Sequence, residues 1–485
     1  MISKVRSESN EGMLTYDVTN TGADSLYEYL YKSIKNDILK GELKAGEKLP
    51  SKRIFASNLG VSVITVENAY ARLAAEGYIY SMPKRGFYVA DFGGLGNVMA
   101  EPKKGFTRQM VPLTGGDVSY FADFSSNQTS SELFPFTTWS KGIRELLSDS
   151  RVQLMTNSPC GGILALRESI SRYLQEFRGM WVSPDQIIIG AGTEYLYGLL
   201  IQLLGNDKNY GVENPGYRKL ERIYKSFQVP CQWISMDENG ICISELEEKK
   251  GDIVHITPSH HYPTGIVMPI SRRYELLGWA ARKEGRYIIE DDYDSELRLS
   301  GQPIPTLQSI DKSEKVIYMN TFTKTLCSTV RISYMVLPRN LAEQFYEKLS
   351  FYSCTVSNFE QYTLANFIME GKFEAHINRL RNYYRRKRDR LVEAFLNSRL
   401  ADMVEISGEE AGLHFLLTIR TKVPEAAVME RARTKGVKLV PLSKYYYGES
   451  GVENVYVMNY SSVDVERAGE IAERIYGCIK SYKEL

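Results

Sequence analysis

The stretch from Arg286 to Asp292, RYIIEDD, carries the strongest fold signal in the sequence. Its apolar run indicates a strand buried on both faces, and the carboxylates that follow would stand at the C-terminal end of that strand. Four further stretches have the same apolar character: QIIIGAG (186–192), NYGVEN (209–214), DIVHITP (252–258) and KVIYMNTF (315–322). Buried strands that alternate with amphipathic helices predict an α/β domain, with a sheet covered by helices on both faces.

The sequence divides into three zones. Residues 22–91 show dense helical periodicity, residues 92–131 are rich in Gly, Ser, Asn and Asp, and residues 132–485 carry the alternating pattern. We predict a small head, a linker and a large domain, because stretches without periodicity and of this composition behave as linkers. A long charged helix and short strands then predict a smaller α+β subdomain over about 371–485.

Bulk composition excludes several classes of protein. The 485 residues, 43% hydrophobic and 25% charged, fit two or three ordinary globular domains. The net charge of +1 gives no general attraction to nucleic acid, so such a site must be local. The sequence contains neither a long apolar run nor a secretory leader, so we expect a cytoplasmic protein. The six cysteines are scattered and the histidines lack ligand spacing, which predicts neither a disulfide framework nor a metal site.

Two short helical patterns lie in the segment LPSKRIFASNLGVSVITVENAYARLAAEGYI, residues 49–79. Gly60 permits the sharp turn that ends the first helix, and Ser62 can cap the second. Apolar residues from Val66 to Leu73 recur at the spacing i, i+3, i+4, i+7, which gives the second helix one apolar face. The pattern therefore predicts a helix-turn-helix.

A helix-turn-helix contacts base edges with the N-terminal end of its second helix and holds phosphates around its first. The residues predicted nearest the bases are Ser62, Val63 and Thr65. The predicted phosphate-binding residues at the start of the first helix are Ser51, Lys52 and Arg53. Two strand-like segments then enclose a basic turn, Lys84 and Arg85, and predict a wing.

The head resembles the DNA-binding domain of the GntR family of bacterial regulators, on the stretches GELKAGEKLPSKR, LGVS, EGYI and GFYV between residues 41 and 89. The resemblance implies a winged helix-turn-helix that binds double-stranded operator DNA, as a homodimer on repeated half-sites. The family commonly has Arg after the Val-Ser pair, where this chain has Val63, so operator affinity and preference do not carry over.

Polar residues follow three strand patterns of the large domain. Gly190–Thr193 forms a small-residue turn before an apolar helix, which offers free N–H groups to an anion. Asp291 and Tyr293 end the second strand, and Lys324 follows the third. These groups match the needs of pyridoxal 5′-phosphate (PLP), which requires phosphate donors, an acid beside its pyridinium nitrogen and an amine for its aldehyde.

Each group has a predicted role. Lys324 would form the Schiff base, helped by a desolvated pocket that lowers its pKa. Asp291 would accept the pyridinium N–H, and Tyr293 would bond the ring hydroxyl. The further candidate phosphate ligands are Thr321, Thr323 and Arg331, of which the arginine offers a fork of donors.

The motifs GAGT, ENPGY, SHHYPTG, EDDYD and TFTK, in this order, resemble the fold-type I aminotransferases. Together with the head, the chain is similar to the MocR subfamily of regulators, and most similar to those that respond to GABA. The resemblance implies PLP as cofactor, with Lys324, Asp291 and Tyr293 in the roles given above. It also implies that Tyr217 stacks on the ring. The phosphate ligands that it implies are Gly192, Thr193, Thr321 and Arg331.

The sequence departs from the aminotransferase pattern at three places. Aminotransferases have Asn before Pro-Thr-Gly, where this chain has Tyr262. They hold the substrate carboxylate with a late Arg, and the matching stretch Met458–Ser462 contains none. An early Arg of the GABA-type pattern is Lys219, a point charge without a bidentate fork. GABA is therefore a poor candidate effector.

Three functions fit these residues: a regulator that senses an effector through PLP at Lys324, an active aminotransferase with an accessory head, and a PLP-free scaffold. The missing arginine counts against the aminotransferase, because transamination needs the substrate carboxylate held in place. Lys324, Asp291 and Tyr293 count against the scaffold. We therefore predict a regulator that is not an enzyme and that senses an amine, an amino acid or PLP itself.

Overall fold

A computed structural model describes residues 14–18, 24–91, 119–126, 129–149, 151–300 and 304–480. Contacts between residues divide the chain into two units, Met1–Gly116 and Asp117–Leu485. Most of the predicted linker, residues 92–118, lies outside the described residues. The domain boundaries at residues 91 and 131 stay predictions.

The head combines helices with one antiparallel hairpin. Its elements are α1 (Leu26–Leu39), α2 (Lys52–Leu59), α3 (Val63–Ala75), β1 (Ile79–Met82) and β2 (Gly86–Val89). Ser51 and Ser62 cap α2 and α3, and Gly60 ends α2 with a φ of +64°. The predicted apolar face of α3 is fully buried, and Tyr70 on that face also donates from its hydroxyl to the carbonyl of Pro50 over 3.0 Å. The predicted helix-turn-helix and wing are confirmed.

The second unit is an α/β domain. Its strands in chain order are β3 (Ala122–Asp123), β4 (Ile187–Gly190), β5 (Tyr210–Asn214), β6 (Cys231–Asp237), β7 (Gly240–Ile241), β8 (Ile253–Ile256), β9 (Tyr287–Asp291), β10 (Val316–Thr321), β11 (Ser333–Val336), β12 (Val404–Ser407), β13 (His414–Ile419), β14 (Val437–Lys438) and β15 (Val455–Asn459). Its helices are α4 (Phe136–Asp149), α5 (Arg151–Met155), α6 (Leu164–Arg178), α7 (Thr193–Leu204), α8 (Arg218–Ser226), α9 (Ile243–Glu248), α10 (Ile270–Ala281), α11 (Leu307–Ile310), α12 (Arg339–Leu349), α13 (Asn358–Met369), α14 (Lys372–Leu396), α15 (Glu425–Thr434) and α16 (Ala468–Ile479).

The five apolar stretches of the sequence form β4, β5, β8, β9 and β10 of one sheet, as predicted. The strand order is β4-β11-β10-β9-β8-β5-β6-β7. Strands β10, β9, β8, β5 and β6 run parallel, which places their C-terminal ends at one edge of the sheet. The carboxylates of β9 and the lysine after β10 therefore belong to neighbouring strand ends.

A smaller antiparallel sheet, with the order β12-β13-β15, lies in the predicted C-terminal subdomain. Strand β3 pairs in parallel with β14, so that Ala122 faces Val437 in the register. Ala122 and Phe124 are buried in the core of the second unit, although the sequence places them in the linker. Two-residue strands carry too little periodicity to be recognised in a Gly- and Ser-rich segment. Within the described residues, no helix is both long and apolar enough to span a membrane.

Candidate cofactor site and DNA-binding surface

Asp291 stands at the C-terminal end of β9 and is 8% exposed. Its Oδ2 accepts a hydrogen bond of 2.5 Å from the Tyr197 hydroxyl and lies 3.4 Å from Nε2 of His255. Its Oδ1 is buried and has no hydrogen-bond partner among the described residues. A buried acceptor without a donor costs free energy. The carboxylate therefore fits a ligand that brings a donor, such as a protonated pyridine nitrogen.

Three residues that the sequence did not single out orient this carboxylate. Tyr224 bonds Nδ1 of His255 over 2.7 Å, and His255 and Tyr197 both face Asp291. Burial and the nearby charge of Asp291 raise the pKa of Tyr197, so its hydroxyl stays protonated and donates. The only signal in the sequence was the polar His255 inside an apolar strand.

Lys324 lies three residues beyond the end of β10, the strand next to β9. Burial lowers the pKa of the Lys324 ammonium to about 8, and the negative charge of Asp294 opposes that shift. With a pKa near 8, roughly a tenth of the lysine is neutral at pH 7. A neutral buried amine is the form that attacks an aldehyde, so the residue fits the predicted covalent link to PLP.

The turn between β4 and α7 supplies predicted phosphate ligands. Gly192, at the start of α7, has a φ of +95°, and a Cβ there would lie 2.3 Å from Nη2 of Arg331. The guanidinium therefore packs against the turn itself. The sheet register pairs Ser333 with both Thr321 and Gly190, which brings the threonine close to the same turn. A helix N-terminus, an arginine and a hydroxyl together form a donor set suited to phosphate.

Several of these groups already have partners within the protein. Thr321 and Thr323 bond each other through their hydroxyls over 2.7 Å. Arg331 donates to Glu194 over 2.6 Å, and Lys219 also pairs with Glu194. Burial alone would raise the pKa of Glu194, but hydrogen bonds from Lys219 and Arg331 lower it to about 2. Lys219, the residue at the early arginine position, is thus engaged by a carboxylate of the protein.

Tyr262, which replaces the aminotransferase Asn, is the centre of an aromatic cluster. Its ring centroid lies 6.1 Å from that of Tyr217, 6.5 Å from Tyr293 and 5.1 Å from His414. Its hydroxyl lies 2.6 Å from the Tyr445 hydroxyl. The structure thus brings the two predicted ring contacts, Tyr217 and Tyr293, together around Tyr262, and adds two aromatic residues that sequence reasoning missed, His414 and Tyr445.

The Tyr293 hydroxyl faces a buried histidine. It lies 3.4 Å from Nδ1 of His260, and the same nitrogen lies 2.9 Å from a carboxylate oxygen of Asp294. Burial lowers the pKa of the adjacent His414 well below its ordinary value, and the nearby charges of His260 and Lys324 act in the same direction. His414 is therefore neutral.

Among the described residues, no group of His, Cys, Asp or Glu is arranged to hold a metal ion.

A loop of the smaller subdomain closes one side of this cluster. The Gly216 amide donates to the carbonyl of Tyr445 over 3.1 Å, and the Tyr447 amide donates to Asn214 over 2.9 Å. The Tyr447 ring stacks on Trp233 with 5.4 Å between centroids. Residues from both subdomains therefore build the walls of the candidate site.

The stretch that lacks a carboxylate-binding arginine, Met458–Ser462, begins in β15 and runs past its end. Ser461 is buried, and its hydroxyl bonds Asn459 over 2.9 Å and the carbonyl of Ser126 over 3.1 Å. Its carbonyl accepts a hydrogen bond of 2.7 Å from Nζ of Lys387, which lies on α14. The cation next to this stretch thus comes from another element of the fold.

The predicted DNA-contacting residues of the head surround the α2–α3 turn. Val63 is 42% exposed at the start of α3, and Arg53 is exposed on α2. Lys52 forms a 2.6 Å ion pair with Glu67 of α3. Ser51 and Ser62 accept hydrogen bonds from backbone amides as helix caps, and the Ser62 hydroxyl also lies 2.7 Å from that of Thr65. Lys84 and Arg85 lie in the exposed turn between β1 and β2.

Comparison with known proteins matches both units. The family "Bacterial regulatory proteins, gntR family" matches residues 26–89, and "Aminotransferase class I and II" matches residues 121–468. In fold, the chain is similar to the kynurenine aminotransferase of Pyrococcus horikoshii, with a TM-score of 0.65 and 26% identity over 75% of this chain and 93% of that one. The fold and the site thus define a regulator in which a DNA-binding head is joined to an aminotransferase-type domain, and PLP is the cofactor of that domain.

Whole-length relatives share this arrangement. The chain is 39% identical to the HTH-type transcriptional regulator YdeL of Bacillus subtilis, over 87% of this chain and 90% of the relative. It is 30% identical to the probable rhizopine catabolism regulatory protein MocR of Rhizobium meliloti, over 90% of both. The chain belongs to the MocR subfamily of GntR regulators, as the sequence motifs indicated.

Proposed function

We propose that this protein is a transcription regulator that binds PLP through Lys324 and uses it to sense an amine, an amino-acid-related effector or PLP itself. The proposal rests on one observation above all. At neighbouring strand ends stand Lys324, a half-buried lysine with a lowered pKa, and Asp291, a buried carboxylate with one oxygen that has no partner in the described part of the chain. When bound, PLP supplies an aldehyde carbon that reacts reversibly with amines. Its proposed phosphate ligands are Gly192, Thr193, Thr321, Thr323 and Arg331.

The other residues of the site would each bind a different part of PLP. Asp291, fixed by Tyr197, holds the proton of the pyridine nitrogen. Tyr293 bonds the ring hydroxyl, with His260 behind it, and Tyr217 covers one face of the ring. An amine effector would displace Lys324, and the smaller subdomain, which contacts the site through the loop around Tyr445, would rearrange in response.

We propose that the domain senses its ligand without sustained turnover. Transamination requires the Cα–H bond to be held in line with the ring, and a bidentate carboxylate clamp normally holds it. Residues 458–462 contain no arginine, and Lys219 is engaged by Glu194. Binding and displacement of Lys324 need no such clamp.

A second candidate function is that of an active aminotransferase, favoured by the similarity in fold to solved aminotransferases. The test is to incubate the purified protein with amino acids and a keto acid acceptor and to follow amino-group transfer. We expect turnover far below that of ordinary enzymes. Sustained turnover on the order of 1 per second or faster would establish the enzyme and contradict sensing alone.

We further propose that the head binds operator DNA as part of a homodimer in the cytoplasm. Arg53 is exposed on α2, and we propose that it holds a phosphate, so Arg53→Ala should weaken binding to all sequences and reduce the salt slope by about one unit. Substitution of Thr65 should instead change sequence preference. Lys35→Ala is the matched control, because Lys35 lies on α1 and pairs with Glu76. Loss confined to one base position in Arg53→Ala would contradict the phosphate role.

A further inference from the structure

A cavity of about 1450 Å³ lies between α4, α14 and the segment that follows β15. Trp139 lines one wall, and Ser461 and Ser462 line another. Cys327 and Ser328, a few residues beyond Lys324, also line it, whereas the residues assigned to PLP do not. The cavity is therefore next to the cofactor site and distinct from it.

Lys387 is the buried cation of this cavity. Its residue is 7% exposed, and its Nζ donates to the Ser461 carbonyl over 2.7 Å. Among the described residues, no carboxylate lies within ion-pair distance of Nζ, 4.0 Å. Burial lowers the pKa of Lys387, although the charges of Asp464 and Glu132 oppose that shift. A buried cation without an ion-pair partner is costly, and an anion in the cavity would relieve that cost.

Two further cations share the cavity face of α14. Arg379 and Arg386 line the cavity seven residues apart, which places these two on one side of the helix, and Lys387, about 100° further around the helix from Arg386, lines the same cavity. Neither has an ion-pair partner in the described part of the chain. Arg390, one turn further on, is instead paired with Glu466. The remaining carboxylates of the wall are Glu132, Glu360 and Asp464. These come from three separate segments, so the positive charge is concentrated on one face and the negative charge is dispersed.

Helix α14, which carries these cations, also contacts the loop that contains Lys324. His376, one turn before Arg379, lies with its Nε2 2.7 Å from the carbonyl of Thr325, the residue after Lys324. Lys387 in turn bonds the Ser461 carbonyl, in the stretch where aminotransferases carry their carboxylate-binding arginine. An anion bound on this face would thus contact the same helix that supports the Lys324 loop.

We propose that this cavity binds the carboxylate of a small organic acid or amino acid through Lys387, Arg386 and Arg379. The role of this cavity as an effector site rests on the proposed function, whereas its binding of a carboxylate does not depend on that function. The carboxylate belongs either to a free acid or to an effector whose amine engages PLP at Lys324. The three cations would bind either carboxylate, so the experiment is designed to distinguish a free acid from an effector that also engages PLP.

The test uses the full-length, PLP-loaded protein and succinate, a dicarboxylate without an amine, at constant ionic strength. Trp139 lines the cavity, so its fluorescence reports binding, and Trp139→Phe assigns the signal. We expect saturable binding that weakens about tenfold or more in both Arg386→Gln and Lys387→Met, as for a lost charge-assisted hydrogen bond. Arg390→Gln, whose charge is already paired, should stay within about twofold.

Three outcomes would overturn the site: no saturable signal, unchanged affinity in both variants, or an equal loss in Arg390→Gln. Because Arg386 is exposed, Arg386→Gln remains informative even if Lys387→Met fails to fold. Repeating the titration in Lys324→Ala protein separates this proposal from the PLP function. Succinate binding that persists there supports a carboxylate site independent of the Lys324 link to PLP, whereas loss of succinate binding there would show that the site depends on that link and would overturn the independent site. If the wild-type protein showed no PLP absorbance band, the proposal that Lys324 binds PLP would be refuted, and the measured succinate binding would be unaffected.

Discussion

The two sides of the candidate site differ in how their charges are satisfied. On the cofactor side, Asp291 has one buried oxygen without a partner among the described residues, and Lys324 is half-buried with a lowered pKa. On the carboxylate side, Lys219 is paired with Glu194, and Ser461 is saturated by neighbours. The cofactor side therefore leaves a buried acceptor for a ligand, whereas Lys219 and Ser461 already have partners within the protein.

This difference separates holding a cofactor from processing a substrate. A protonated pyridine nitrogen needs an acceptor that is open before the ligand arrives, and among the described residues Oδ1 of Asp291, at the end of β9, is such an acceptor. A transaminated substrate needs a clamp as well. A domain that binds and releases amines is expected to keep an open acceptor for the cofactor, while internal partners occupy residues such as Lys219 and Ser461 on the carboxylate side.

The largest effect should come from the lysine. Lys324→Ala removes the amine that bonds the cofactor aldehyde, so the protein should lose the whole of the visible absorbance band that borohydride abolishes. Lys219→Ala is the matched control and should keep the band, because Lys219 lies on the carboxylate side. A reducible band in Lys324→Ala would show that another amine holds the cofactor.

Asp291→Asn should weaken PLP retention on the order of a hundredfold, because it removes one partner of a buried charge pair. Equilibrium dialysis of the reconstituted protein measures the change. A circular dichroism spectrum like that of wild type would show that the fold persists. Retention within a factor of three would mean that the unpartnered Oδ1 serves another purpose.

The pH dependence of cofactor uptake tests the environment of Lys324. Only the neutral amine attacks the aldehyde, and its fraction grows as pH rises towards the pKa of about 8. The rate at which the absorbance band forms should therefore rise about tenfold per pH unit well below pH 8 and level off above it. An ordinary lysine, with a pKa of 10.5, would give a rate that still rises at pH 9.

The smallest effect concerns a residue that acts through Asp291. Tyr197→Phe removes the 2.5 Å hydrogen bond to Oδ2 and should weaken PLP binding roughly five- to tenfold, the net cost of one ordinary hydrogen bond. Combined with Asp291→Asn, it should add little, because the tyrosine acts on that carboxylate. A full additive loss in the double variant would show that Tyr197 contacts the cofactor independently.

The sequence predicts the groups that lie at strand ends, because such positions depend on local pattern. Asp291, Lys324 and the Gly190–Thr193 turn each follow a buried strand, and parallel strands bring their ends together. The apolar spacing in α3 likewise predicts the buried face that the structure shows.

The supporting residues depend on contacts that no local pattern encodes. Tyr197 reaches Asp291 across 94 residues, and Tyr262 meets Tyr445 across 183. Lys387 was part of a charged helix whose spacing did not show which face is buried. These pairs follow from how the helices pack on the sheet, which a single sequence does not specify.

The pairing of β3 with β14 has a consequence for synthesis of the protein on the ribosome. Ala122 is made early, but its partner Val437 follows 315 residues later, and at about 10 residues per second that interval is roughly half a minute. The head contacts are complete by residue 91, so the head can fold as soon as it emerges. For that interval each nascent chain would carry a folded DNA-binding head while its second domain still lacks the strand that pairs with β3.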